Sequence, residues 1–207
     1  MAYLVLVRHG ESEYNAKGIW TGWADPLLSE KGRTQARDAG EKLKDIHFDI
    51  AYTSVLKRAE ETWDEIKKVI GQEDLQTIAD KALNERDYGD LTEKNKWEVK
   101  EQIGEEEFNK IRRGWDYPPP NGESLKMVYE RVIPYYQSEI LPKLKEGKNV
   151  IISAHGNSLR ALVKDLDHVS DEEIPNLEMV TGGVYVYEID SSGNVVSKKV
   201  LVEGKAP

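Results

Sequence analysis

Strand-length apolar segments punctuate this chain at Tyr3–Val7, Ile50–Thr53, Asn149–Ala154, Val184–Ile189 and Val195–Val202. The first and third are near-continuous runs, the pattern of strands covered on both faces. The last two flank Ser191-Ser192-Gly193-Asn194, which reads as a hairpin turn. Between the strands, apolar residues recur at helical spacing. Ser29 is placed to cap a helix carrying Ala36, Ala39, Leu43 and Ile46. Leu56, Ala59, Trp63, Ile66 and Ile70 form a second stripe, closed by Gly71. Leu159, Leu162, Val163 and Leu166 form a third. A longer periodic stretch covers Ser124 to Lys145, and Pro134 and Pro142 inside it are expected to kink or break the helix.

Strands alternating with helices predict an α/β fold in three layers: a mostly parallel central sheet with helices on both faces. From about Thr77 to Asn121 the periodicity fades into charged segments that end at Pro118-Pro119-Pro120. This stretch is expected to be a helical and loop insertion over the C-terminal edge of the sheet, within a single domain spanning 1–207.

Composition narrows the function. The 207 residues suit one domain, and 29 Lys+Arg against 38 Asp+Glu leave a net charge of −9. That balance argues against nucleic-acid binding and leaves an anionic small substrate open, because a site is set by local charge. The chain has no cysteine, which excludes disulfides, thiolate metal sites and a cysteine nucleophile and fits a cytoplasmic setting. No signal-peptide pattern is present, and no apolar run approaches the ~20 residues that span a bilayer, so no membrane partner is expected.

Two of the four histidines share one context. His9 follows the first strand in Arg8-His9-Gly10-Glu11-Ser12, and His155 follows the strand ending at Ala154, in His155-Gly156-Asn157-Ser158. In an open parallel sheet, ligands bind beyond the carboxyl ends of the strands, so both imidazoles are expected to face one crevice. A neutral imidazole can attack phosphorus, and phosphoryl transfer asks little else of a protein beyond positioning and neutralising the equatorial oxygens. Glycine after each histidine is expected to let backbone approach an anion, and the helix starts to aim N–H groups at it. Nearby arginines would keep the nucleophile unprotonated. Arg8, Arg58, Arg86, Arg112, Arg113 and Arg160 sit at punctuated positions, although most arginines are solvated surface residues. As a strand-end residue, His9 is expected to be partly exposed, with little packing to lose. His47 and His168 follow helical segments and read as structural. No Walker or dinucleotide glycine loop, zinc-ligand cluster or serine-hydrolase elbow occurs.

The segments Leu6–Ser12, Thr21-Gly22-Trp23, Leu28–Gly32, Tyr52–Ala59, Leu83–Arg86, Tyr88-Gly89, Asn95-Lys96, Arg112-Arg113, Gly122–Lys126 and Ala154–Arg160 together resemble the histidine phosphatase superfamily. The closer similarity is to the cofactor-dependent phosphoglycerate mutases, in their short form. The resemblance implies that His9 becomes phosphohistidine, with Arg8, Arg58 and His155 stabilising the phosphoryl group and Glu85 as proton donor and acceptor. Gly10, Ser12, Asn15, Thr21, Gly22, Arg86, Tyr88, Lys96, Arg112, Arg113, Gly156 and Asn157 would bind the phosphoglycerate. It implies priming by 2,3-bisphosphoglycerate, no metal, small-molecule phosphoglycerates as partners, and a monomer or weak homo-oligomer. The implied reaction interconverts 3- and 2-phosphoglycerate. The alternative is a bisphosphoglycerate synthase or phosphatase, or a broad histidine phosphatase, of the same fold.

The chain departs from the family pattern in three places. Thr92-Glu93-Lys94 replaces a glycine-containing turn and could alter how Lys96 is presented. Gly182-Gly183 replaces a stretch that usually includes proline. The chain ends at Lys205-Ala206-Pro207, short of the tail of some relatives.

Overall fold

The structure, a computed structural model, describes residues 1–201. Val202, the last residue of one expected strand, and the tail Lys205-Ala206-Pro207 lie outside the described residues. The elements in chain order are β1 (Ala2–Arg8), α1 (Glu13–Ala16), α2 (Glu30–Glu41), β2 (Ile50–Thr53), α3 (Lys57–Val69), β3 (Thr77–Ala79), α4 (Lys96–Ile103), α5 (Glu105–Arg113), α6 (Leu125–Tyr135), α7 (Leu141–Lys145), β4 (Val150–Ala154), α8 (Gly156–Leu166), β5 (Val184–Ile189) and β6 (Val195–Leu201).

One six-stranded sheet has the order β3-β2-β4-β1-β5-β6. The first four strands are parallel, and β5 and β6 add an antiparallel hairpin. Successive side chains along a strand point to opposite faces, and β1 uses both. Leu4 and Leu6 join Ile152, Leu125, Val128 and Leu162 on one face. Val5 and Val7 join Ile151, Ala39, Trp63 and Ile66 on the other. Helices α6 and α8 therefore cover one face and α2 and α3 the other, which explains the unbroken apolar runs. This is the expected three-layer α/β arrangement.

Local sequence accounts for most boundaries. Ser29 caps α2, its Oγ accepting from the Gly32 N–H at 3.1 Å. Gly71 follows α3 in the left-handed region at φ 70°, and the Gln72 N–H returns to the Lys67 carbonyl. Two expectations need correction. The prolines do not break the stretch from Ser124 to Lys145. It passes through Pro134, takes a π-helical turn at Tyr136–Ile140 and continues as α7, with Pro142 in the first turn. The wider turn absorbs the bond that Pro142 cannot donate. The strand β3 was also not expected, since three residues at a sheet edge carry no alternation to read.

Residues 81–113 hold short 3₁₀ turns and helices α4 and α5, and their Tyr88, Leu91, Val99, Phe108 and Ile111 pack with Trp20 into a small separate core. Among the described residues no helix is long and apolar enough to cross a membrane.

Candidate active site

Strand register brings the two histidines together. In the β1–β4 pair, Val7 lies opposite Ser153 and Arg8 opposite Ala154, and the His9 N–H extends the ladder to the Ala154 carbonyl at 2.9 Å. The residues that follow each strand must then be neighbours. The imidazole centroids are 4.9 Å apart, edge to face. A cavity of about 720 Å³ opens at these strand ends.

The His9 side chain is only 2% exposed, so the expected partial exposure is wrong: the ring is packed and fixed. Its Nδ1 donates to the Gly10 carbonyl at 2.6 Å, which leaves Nε2 unprotonated. Burial holds His9 well below the ordinary histidine range, reinforced by the Arg58 and Arg8 charges and opposed by the Gly10 bond. His155 is fully buried and does not reach the cavity wall, so only one of the two imidazoles expected in the crevice faces it. The Ser54 hydroxyl sits 2.6 Å from its Nε2, while Ser54 Oγ accepts from the Leu56 N–H. Ser54 Oγ keeps a second lone pair, so this contact fits either ring tautomer, and Nδ1 is buried without a partner. Burial again comes first in lowering the His155 pKa, followed by Arg58, His9, Arg131 and Arg8.

Two arginines of the cavity wall, Arg58 and Arg8, are fixed by backbone carbonyls. Arg58, on the first turn of α3, is 1% exposed and spans the Gly22 and Ala24 carbonyls at 2.8 and 2.9 Å. Burial lowers its pKa to about 10, which leaves it a cation at neutral pH. Arg8 donates to the Met179 carbonyl. The Nε atoms of both are buried without a partner. Glu85 accepts at Oε1 from the Arg86 N–H (2.8 Å) and the Asn157 N–H (3.1 Å). Its other oxygen faces the cavity, 3.7 Å from where a Cβ on Gly156 would stand. Asn157 also donates to the Tyr88 hydroxyl at 3.0 Å.

Asn15, Thr21, Tyr88, Lys96, Arg112, Arg113, Gly156 and Asn157 line the cavity with Arg8, His9, Arg58 and Glu85. Four sequence-expected binding residues do not reach its wall. Gly10 is required by helix α2, because a Cβ there would stand 2.2 Å from the Gly32 carbonyl oxygen. Ser12 is buried as the cap of α1 and spends its hydroxyl on the Asn15 N–H. Gly22 takes a left-handed turn at φ 50° and offers its carbonyl to Arg58. Arg86 is fully buried, stacked on the Tyr88 ring at 4.6 Å and bonded to the Ile111 carbonyl. The symmetry of the two His-Gly pairs fails as well. Only His155 leads directly into a helix, while the four-residue α1 begins at Glu13.

The departures from the family pattern are accommodated. Glu93 takes the left-handed conformation (φ 67°) that glycine adopts without cost, and its N–H bonds the Trp20 carbonyl. Asn95 then caps α4, and Lys96 reaches the cavity above the Trp20 ring at 5.7 Å. The Gly182 N–H donates to the Arg8 and His9 carbonyls at 3.1 and 3.3 Å, a bond proline could not make.

The default reading of arginines as surface residues fails for Arg58, Arg86 and Arg160, all buried. Arg160, left out of the expected site, lines the cavity and bonds Asn157 Oδ1 at 3.0 Å. Glu178, also unexpected, lines the cavity and pairs with Arg113. No local sequence signal marks it. His47 and His168 are exposed and outside the cavity. Among the described residues no group of three His, Asp or Glu side chains is placed to hold a metal ion.

A family model, the histidine phosphatase superfamily (branch 1), matches residues 4–201. The chain belongs to the histidine phosphatase superfamily. Within it, the chain is 52% identical over 205 residues to a 2,3-bisphosphoglycerate-dependent phosphoglycerate mutase of Parvibaculum lavamentivorans, covering 98% of each chain. A protein of the same description from a Chelativorans species is 52% identical over 200 residues, 96% of this chain and 97% of that one. The solved structure of Bacillus stearothermophilus YhfR superposes with a TM-score of 0.83 at 28% identity, covering 100% of this chain and 98% of that one. A mycobacterial glucosyl-3-phosphoglycerate phosphatase superposes with a TM-score of 0.80 at 26% identity, covering 98% of both.

Proposed function

We propose that the protein interconverts 3- and 2-phosphoglycerate through a phosphoryl group carried on His9 Nε2. One observation carries the chemistry: a neutral imidazole with Nδ1 pinned to Gly10, 4.9 Å from His155, in a cavity walled by Arg8, Arg58 and Glu85. Two relatives named as mutases, each 52% identical over nearly the whole chain, support the substrate.

The residues act as follows. His9 Nε2 takes and returns the phosphoryl group in line. Arg8 and Arg58, with unpartnered Nε–H groups, and His155, whose Nδ1 has no partner, neutralise its oxygens. Glu85, held at Oε1 by two backbone N–H groups, uses its free oxygen to accept the proton of the substrate 2-hydroxyl as that oxygen bonds to phosphorus. After the bisphosphate turns over in the cavity, the 3-phosphoryl passes to His9 and Glu85 returns the proton, leaving 2-phosphoglycerate. The donor set fits 2,3-bisphosphoglycerate: Thr21 Oγ1 is buried without a partner, and Lys96, Arg112 and Arg113 add cations for its carboxylate and second phosphate. When bound, that molecule supplies the phosphoryl group that primes His9. No metal enters these steps. Residues 77–121, which carry Glu85, Lys96, Arg112 and Arg113, form the cover that keeps water from the phosphohistidine. We take the protein as a single cytoplasmic domain, acting as a monomer or weak homo-oligomer.

The direct test is the mutase assay on purified protein with and without 2,3-bisphosphoglycerate, with phosphate release followed in parallel. Interconversion that depends on the bisphosphate is expected. Efficient release from unrelated monoesters without interconversion would favour a phosphatase, the reading that the mycobacterial structural neighbour supports.

Two smaller predictions concern the cations. Burial, then the Arg112 and Arg8 charges, lower Lys96 to about 8 against the opposing pull of Glu85. Its charge is lost as pH rises through that value. The free-enzyme profile of kcat/KM is expected to fall on this limb, and Lys96→Arg should move the limb to higher pH. An unmoved limb removes Lys96 from binding. Glu178 occupies Arg113, so an anionic ligand must displace it. Glu178→Gln is expected to lower KM about two- to fivefold, the scale of an exposed ion pair, with kcat unchanged. A KM that stays level or rises would mean that Arg113 does not bind substrate.

A further inference from the structure

The carboxylate of Glu85 has to present one oxygen to the substrate, yet Glu85 sits in an irregular segment between a 3₁₀ turn at Lys81–Leu83 and another at Gly89–Leu91. Such a segment has no ladder of its own to hold it. Trp23 Nε1 holds the Glu85 carbonyl at 2.7 Å, and helix α6 adds a restraint that spans the segment. Ser124 caps the helix, its Oγ accepting from the Met127 N–H at 3.2 Å, and Glu123 stands just before the cap. Arg131 lies about two turns further along, and long helical side chains lean toward the N-terminus, so its guanidinium returns to Glu123.

The pair closes as a two-pronged fork. Arg131 Nε donates to Glu123 Oε1 and Nη2 to Oε2, both at 2.9 Å. The remaining donors grip the Glu85 segment: Nη1 bonds the Ala82 carbonyl at 2.7 Å, and Nη2 also bonds the Glu85 carbonyl at 2.9 Å. Glu123 Oε2 accepts from the Asp87 N–H at 2.9 Å, and the Glu123 N–H donates to the Asp87 carbonyl. Backbone groups on both sides of Glu85, and its own carbonyl, are thus tied to one half-buried ion pair.

We infer that Arg131 and Glu123 are positioning residues that set the aim of the Glu85 carboxylate for proton transfer with the substrate hydroxyl. The inference rests on the function proposed for Glu85. Neither side chain lines the cavity, so they act through the backbone of Ala82–Asp87. Lysine at 131 keeps the charge toward Glu123 but cannot fork to two carbonyls at once. Misplacing a reacting group by about 1 Å costs on the order of 10²-fold, so a smaller loss of aim is expected to cost about 10- to 100-fold in kcat.

The test is a double-mutant cycle on kcat and KM with the full chain, using Arg131→Met, Arg131→Lys and Glu85→Gln. Arg131→Met is expected to lower kcat about 10- to 100-fold with KM within about twofold. Arg131→Lys should fall between it and wild type, and it carries the cycle if the methionine variant does not fold. Adding either substitution to Glu85→Gln is expected to slow the enzyme no further, because the group being aimed is already gone. Multiplicative losses in the double variant, or a loss confined to KM, would overturn the clamp. Wild-type protein without mutase turnover would instead remove the proposed function. Glu85→Gln turning over like wild type would remove the role of Glu85, and the clamp with it.

Discussion

His9→Asn is expected to lower kcat by about 10⁴-fold or more while leaving the fold in place, the scale seen when a covalent nucleophile is removed. Asparagine suits this test better than alanine. The ring is buried, and alanine would leave a void beside His155 and an unbonded Gly10 carbonyl. The asparagine amide can donate to that carbonyl as Nδ1 does, and it offers no nucleophilic nitrogen. Turnover within about tenfold of wild type would sink the assignment of His9, since no other group here would carry the phosphoryl. A thermal melt close to wild type separates lost chemistry from lost structure.

Arg58→Ala is expected to reduce kcat by about 10²–10³, the cost of one preorganised charge donor at a developing oxyanion. A second effect follows from burial. Arg58 satisfies the Gly22 and Ala24 carbonyls, and an unsatisfied buried acceptor costs about 1–3 kcal/mol. The variant should therefore be both slow and less stable, with the loop at Gly22–Ala24 loosened. Arg58→Lys keeps the charge without the two-carbonyl bridge and should fall between. If only KM changes, Arg58 binds substrate and does not stabilise the transferring group.

The fold was largely legible because its strongest signals are collective. Runs such as Val150-Ile151-Ile152 have one stable home, a strand covered on both faces, and the stripes of α2, α3 and α8 repeat over several turns. What escaped was short or irregular. Thr77-Ile78-Ala79 forms a strand only because β2 is there to pair with it. Pro134 reads as a breaker, yet the helix continues because tertiary packing of Leu125, Val128 and Val132 outweighs the lost bond.

For the site, the matched strand-end contexts made His9 and His155 neighbours, as the register explains, but only His9 lines the cavity, His155 being fully buried. Glu85 could not have been chosen from 38 carboxylates without the family resemblance, because nothing local distinguishes it. Gly10 illustrates the opposite failure. Its position after a histidine suggested room for an anion, but the space is taken by the Gly32 carbonyl, a contact between distant residues. Ser54 and Arg131 act in the same way, through partners about a hundred and about fifty residues away in sequence.

The central claim is tested most directly by mixing the protein with radiolabelled 2,3-bisphosphoglycerate, quenching, and mapping the labelled peptide. An acid-labile label on His9 that 3-phosphoglycerate discharges into bisphosphate and 2-phosphoglycerate is the expected result. Interconversion that proceeds with His9 unlabelled would contradict it.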